Sequence, residues 1–200
     1  MIDRRSINLD ITTKCTLACP ECRRTIYKKR GMKINGGHMS FSDFKKVHSF
    51  FDHFSFCGGV SDPIFHPQFI EFLEYAIDKD VDVHTAASHK NKEWYVDAFK
   101  ANPNAKWIFG LDGLPKESHK YRVNQDGEKI YNIMKMGVDM KMDIVWQYLV
   151  FDYNKEHIDE AIQMAKDNNM KFMLKISSRH PDGMTPSRED LRVDRIRLED

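Results

Sequence analysis

Residues 15–22 read Cys15-Thr16-Leu17-Ala18-Cys19-Pro20-Glu21-Cys22, three cysteines spaced C-x3-C-x2-C. A closed structural zinc site takes four ligands, and disulfides consume cysteines in pairs. The one further cysteine of the chain is Cys57. Three thiolates on one short loop suit a four-iron cluster, holding three irons and leaving the fourth open. An open coordination position marks a reactive metal centre, as it does for catalytic zinc. A zinc ion completed by a distant histidine or by Cys57 also satisfies the count. Cys57 itself, beside Phe56 at a strand end, reads as a buried core thiol.

Outward from this loop, short alternating runs alternate with helical periods. Ser6 to Ile11 alternates polar and apolar residues as a strand does, and Phe54 to Cys57 is a second strand stopped by Gly58-Gly59. Val81 to His84, Trp107 to Phe109, Ile144 to Phe151 and Phe172 to Ile176 continue the series. Between them, Ser40-Phe-Ser-Asp43 offers a capping-box start to a helix carrying Phe44, Val47 and Phe51. Pro67 suits the first turn of another, with Phe69, Leu73, Ala76 and Ile77 on one face. Helical faces follow over Glu93–Lys100, Ile130–Gly137 and Ile158–Ala165, whereas residues 22–42 read as one long loop.

Six strands with five intervening helices predict a parallel sheet with right-handed crossovers. A full eight-stranded barrel needs roughly 250 residues, more than the 200 present. The expected fold is therefore α/β, a partial (β/α)6 TIM-like barrel with a curved parallel sheet and outer helices. Function in such folds gathers at the carboxyl ends of the strands. The cysteine loop, Gly58-Gly59 and Asp112-Gly113 all fall on that rim. Residues 1–180 are expected to form the core domain and 181–200 a charged tail, with a short helix over Leu191–Leu198.

The 31 basic and 30 acidic residues nearly cancel, to a formal charge of +1, so nothing implies general attraction to nucleic acid or membrane. The N-terminal residues lack an apolar signal core, and no run approaches transmembrane length. A cytoplasmic protein is expected, whose cysteines are ligands or buried thiols.

The C-x3-C-x2-C motif after the first strand of a βα protein resembles the signature of the radical S-adenosylmethionine (radical SAM) superfamily. The likeness extends to "FCGGVSDPIFHP" (56–67), "GLDGLPKESHKYRVN" (110–124) and "VFDYNKEHIDEA" (150–161), nearly all of residues 6 to 180. These segments are most similar to the subgroup of peptide-modifying, sulfatase-maturing and molybdenum-cofactor enzymes. The resemblance implies that Cys15, Cys19 and Cys22 ligate a [4Fe–4S] cluster whose open iron binds SAM. Reductive cleavage of SAM would give a 5′-deoxyadenosyl radical that abstracts hydrogen from a peptide or small-molecule substrate. Gly58, Gly59 and Asp62 would receive the methionyl amine, with Pro63, Asp112, Gly113, His119 and Arg122 at matching positions.

Several residues depart from the family pattern. Glu21 stands where relatives often place an aromatic ring near the adenine. The usual Gly-Gly-Glu-Pro becomes Gly-Gly-Val-Ser-Asp-Pro, and a polar residue two before Asp-Gly becomes Gly110. Arg122 is then the better partner for the SAM carboxylate, since guanidinium pairs with it bidentately. No cysteine follows Cys57, so no counterpart of the cysteine-rich extension that holds auxiliary clusters in many relatives is expected, and a second chain could close the barrel. A zinc-binding or non-catalytic scaffold on a degenerate core is the alternative. His84, Ser88, Gln147 and Lys175 are expected to face the substrate cavity. The acid-free stretch with Arg23, Arg24, Lys28, Lys29, Arg30 and Lys33 could meet an acidic substrate or a flavodoxin-type electron donor.

Overall fold

The first three strands alternate polar and apolar residues, which is unusual for parallel strands, because a sheet covered by helices on both faces reads as a continuous apolar run. The computed structural model, which describes residues 5–177 and 180–191, shows the reason. Strands β1 (Ser6–Leu9), β2 (His53–Phe56), β3 (Asp80–Thr85), β4 (Lys106–Gly110), β5 (Asp143–Leu149) and β6 (Lys171–Lys175) form one parallel sheet in sequential order. The sheet is curved and unclosed, so β1 and β6 are its two edges. Its convex face takes Phe54, Phe56, Trp107, Phe109, Trp146 and Tyr148, all fully buried. Its concave face carries the intervening polar residues, such as Ser55, Asp82, His84 and Gln147. The (β/α)6 architecture read from the sequence is the architecture observed.

Helices α2 (Phe41–His48), α3 (Phe69–Tyr75), α4 (Lys92–Ala101), α5 (Gly127–Asp139) and α6 (Ile158–Asp167) accompany the strands. Phe44 of α2 stacks on Phe72 of α3 with ring centroids 4.4 Å apart, and both are fully buried. Ser40 caps α2 as its sequence predicts, accepting a hydrogen bond from Asp43 N at 3.1 Å. Phe51 and Ile77 fall beyond the ends of α2 and α3, and Ile77 is 51% exposed.

The expected long loop over 22–42 contains a helix, α1 (Arg23–Lys29). It buries none of its residues, so it has no apolar stripe to betray it. Gly31, in the left-handed region at φ 66°, ends it with Met32 N donating to Tyr27 O at 2.9 Å.

The chain leaving β6 turns back over the exit of β5. Asp152 N donates to Met184 O at 2.9 Å, His180 meets Val150 O, and Leu191 is 6% exposed. Pro186 and Leu191 are thus buried in a segment whose other residues are largely exposed. The expected helix over Leu191–Leu198 falls, after Leu191, outside the described residues. No helix among the described residues is long and apolar enough to cross a membrane.

Candidate active site

The cysteine loop is bound to the rim through its backbone. Ala18 N donates to Val123 O at 3.0 Å, and Asn124 Nδ2 donates to Thr16 O at 3.1 Å. Cys22 N donates to Cys19 O at 3.1 Å, which folds the C-x2-C half into a turn. All four cysteines are free thiols. Cys15, Cys19 and Cys22 line one cavity of about 240 Å³ together with Gly58, Gly59 and Arg122. Burial pushes the Cys15 thiol up to about 12, with the Asp62 carboxylate adding to the rise. Burial also raises Cys19, against the pull of Arg122. Among the described residues, no three His, Cys, Asp or Glu side chains converge on a single ion position.

The glycine turn after β2 is held from β1. Asp10, one residue past the end of β1, accepts from Gly59 N at 2.7 Å and from the Ser61 hydroxyl. The turn is so tight that a Cβ on Gly58 would lie 1.9 Å from Ser61 O. Asp62 lines the cavity too, but its carboxylate is engaged on the other side. It accepts from Thr85 Oγ1 at 2.9 Å, Ala86 N at 2.9 Å, Ala87 N at 3.1 Å and Ile64 N at 3.3 Å. Asp62 thus pins the β2 exit to the β3 exit, with little acceptor capacity left for a ligand amine.

Arg122 reaches the cavity across the end of β4. A Cβ on Gly110 would lie 3.0 Å from Arg122 Nη2, so the bare glycine leaves the guanidinium its path. Arg122 Nε donates to Asp112 Oδ2 at 2.6 Å. Asp112 is fully buried, and its other oxygen accepts from Leu149 N at 2.9 Å. Burial alone would disfavour the Arg122 charge, but the Asp112 carboxylate more than restores it. Asp112 therefore acts behind Arg122 and is not itself at the cavity wall. Gln125 closes the arrangement, its Nε2 donating to Ala86 O at 2.6 Å and Gly110 O at 2.8 Å.

A second cavity of about 220 Å³ adjoins the first on the concave face, lined by Cys57, His84, Ile108, Gln147 and Arg122 among others. His84 and Gln147 both line this cavity. Burial lowers the pKa of His84, the positive charges of Lys175 and Lys106 lower it further, and Asp82 opposes them. Cys57 is not a core thiol: it is half-buried and faces this cavity, because the alternation that buries Phe54 and Phe56 turns Cys57 inward. Ser88 is occupied elsewhere, its hydroxyl accepting from Asp126 N at 2.9 Å at the start of α5. Lys175 sits on the concave face of β6 beside Leu149, outside both cavity walls. Glu21 is half-buried, and the ring at the cysteine cavity is that of Tyr121.

Sequence reasoning missed Asp10, Ser61, Tyr121 and Gln125. Only Asp10 carried a signal: it continues the inward parity of Ser6 and Asn8 to the functional rim.

No family model matches the sequence, and no curated protein matches it at the sequence level. Solved structures do match the fold. SuiB from Streptococcus suis, bound to S-adenosylmethionine, superposes with a TM-score of 0.69 at 11% identity, over 91% of this chain and 42% of that one. AnSMEcpe with bound AdoMet gives 0.65 at 14% identity, over 88% of this chain and 53% of the other. Methylornithine synthase (PylB) gives 0.62 at 13% identity, over 86% and 54%. The chain thus spans about half, or less, of the length of these structures, and at these identities the likeness establishes the fold.

Proposed function

We propose that this chain is a radical SAM enzyme core that acts on a peptide. One observation carries the reading: three free thiols, a glycine turn and an arginine paired with the buried Asp112 line one cavity at the strand exits. Thiols spread along a cavity wall fit a four-iron cluster, which takes its cysteines on separate irons. They fit less well a zinc ion, which gathers its thiolates at about 2.3 Å from one point. Two of the fold's structural neighbours, SuiB and anSMEcpe, are solved with SAM bound, and SuiB is also solved with a precursor peptide, SuiA.

In this reading Cys15, Cys19 and Cys22 would hold a [4Fe–4S] cluster. With SAM bound, cluster and SAM supply the one-electron chemistry for hydrogen abstraction. The chain's own residues bind and orient. Arg122, kept cationic and aimed by Asp112, takes the SAM carboxylate. The Gly58-Gly59 backbone, fixed by Asp10, receives the amine, and Asp62 secures that turn to β3. His84 and Gln147 face the substrate. The basic face of α1, beside the cysteine loop, suits an acidic flavodoxin-type electron donor, and free thiols suit the cytoplasm.

The test is anaerobic reconstitution with iron and sulfide. Brown protein with equal iron and acid-labile sulfide, lost in each of Cys15→Ala, Cys19→Ala and Cys22→Ala, is expected. With SAM and dithionite it should release 5′-deoxyadenosine, and Arg122→Ala should weaken SAM binding. Colourless protein carrying one zinc per chain would overturn the reading.

A further inference from the structure

Among the described residues, no strand pairs with the outer edge of β6. Val150 N donates to Lys175 O at 2.9 Å, so the backbone groups of Lys175, and of Met173 two residues before it, point toward β5. Successive residues of a strand turn their backbone groups to opposite sides, so Phe172 and Leu174 present theirs at the open edge. Among the described residues these edge-directed groups have no partner, because the chain after β6 folds back over the β5 exit. On the convex side of this edge, Leu174 and Ile176 are 39% and 38% exposed.

Among the described residues, the concave side carries a cation without a counter-charge. Asp82 is engaged by His53 and Lys106, Asp143 by Lys171, Asp10 by the glycine turn and Asp62 by the β3 exit. Lys175 makes no salt bridge among the described residues, yet its charge is felt at His84 across the concave face.

We propose that the edge of β6 takes the substrate itself, an extended peptide that adds as a seventh strand with an acidic side chain against Lys175. Strand addition draws affinity from main-chain hydrogen bonds and specificity from alternate side chains. Here the outward side chains meet Leu174 and Ile176. The inward ones enter the gap between β6 and β1, toward His84 and Gln147, which is where a reacting residue has to be delivered. The inference rests on the peptide reading above and names the substrate's class and its route in.

The test pans random linear peptides against the full reconstituted chain, then follows backbone amides by hydrogen exchange with an enriched peptide bound. Enrichment of Asp or Glu among apolar and β-branched residues is expected, with Phe172 and Leu174 amides newly protected. Lys175→Glu should turn the preference to Lys or Arg. Leu174→Pro, which removes one edge donor where an edge strand tolerates proline, should weaken binding about tenfold. If Leu174→Pro fails to fold, the charge reversal still decides. An acidic preference unchanged in Lys175→Glu would overturn the proposal, as would protection elsewhere on the chain. So would Phe172 and Leu174 amides already protected in the free chain, which would mean its own residues cover the edge. Loss of peptide binding with 5′-deoxyadenosine still formed would sink this inference alone; a chain without a cluster would sink the reading beneath it.

Discussion

Gly58 is the residue on which the candidate site tolerates least. A Cβ there would lie 1.9 Å from Ser61 O and 2.4 Å from its carbonyl carbon, and both are backbone atoms that cannot swing aside. Gly58→Ala must open the turn, which breaks the Asp10 contacts to Gly59 N and Ser61. A loss of about 1–3 kcal/mol in urea unfolding is expected, as for other overpacked sites. Binding of S-adenosylhomocysteine should weaken with it. Wild-type stability and affinity in the alanine variant would show that the turn relaxes freely and that its tightness has no consequence. The cysteines and glycines of this site were legible in the sequence because they are neighbours along the chain. Asp10 was not, since its partner lies 49 residues away and only strand pairing brings them together. Asp62 was legible as present but not in role, because no spacing reveals that its carboxylate faces β3.

At the scale of elements, Ser88 and Asp82 show how strands and helices are tied at opposite ends of the barrel. The Ser88 hydroxyl accepts from Asp126 N, the cap position of α5; Ser88 is buried, whereas Asp126 is exposed. Ser88→Ala should cost about 0.5–1.5 kcal/mol by removing that hydrogen bond, while leaving ligand affinity intact. A fall in affinity at unchanged stability would return Ser88 to the substrate cavity.

Asp82 lies at the amino-terminal end of the concave face, with Lys106 Nζ at 2.9 Å and His53 Nε2 at 3.2 Å. Burial would raise its carboxyl pKa, but Lys106 and His53 together bring it below the ordinary value. A depressed folded pKa stabilises above the unfolded value of about 3.9 and loses that contribution as pH falls through the folded value. Asp82→Asn should therefore cost about 1 kcal/mol at pH 7, a modest figure because solvent screens Lys106. In urea unfolding, the gap between variant and wild type should narrow at pH 3. A gap that stays constant would place the effect in packing. Strands and amphipathic helices were readable because each has a period. Helix α1 was not, because a helix that buries nothing leaves no periodic trace.

For the molecule as a whole, six β-runs and their helices gave the barrel's order, since sequential parallel strands with right-handed crossovers leave little freedom. Openness was read from length rather than from any residue pattern: 200 residues are too few for eight βα units, which typically need roughly 250. The open form makes a prediction about stability across the sheet. Strands β3, β4 and β5 are paired on both sides, and beneath β4 and β5 lie Trp107, Phe109 and Trp146, all fully buried. Strand β6 is paired on one side and has exposed residues at both ends. Local opening follows burial and hydrogen bonding, so amides of Phe109 and Trp146 should exchange only through global unfolding. Those of Phe172 and Leu174 should exchange orders of magnitude faster. Hydrogen exchange on the free chain measures both sets at once. Equal protection across β4 and β6 would mean that something pairs with β6 and that the barrel is not open there. Fast exchange confined to β1 and β6 would place the loosest backbone of the sheet along the gap between its two edges.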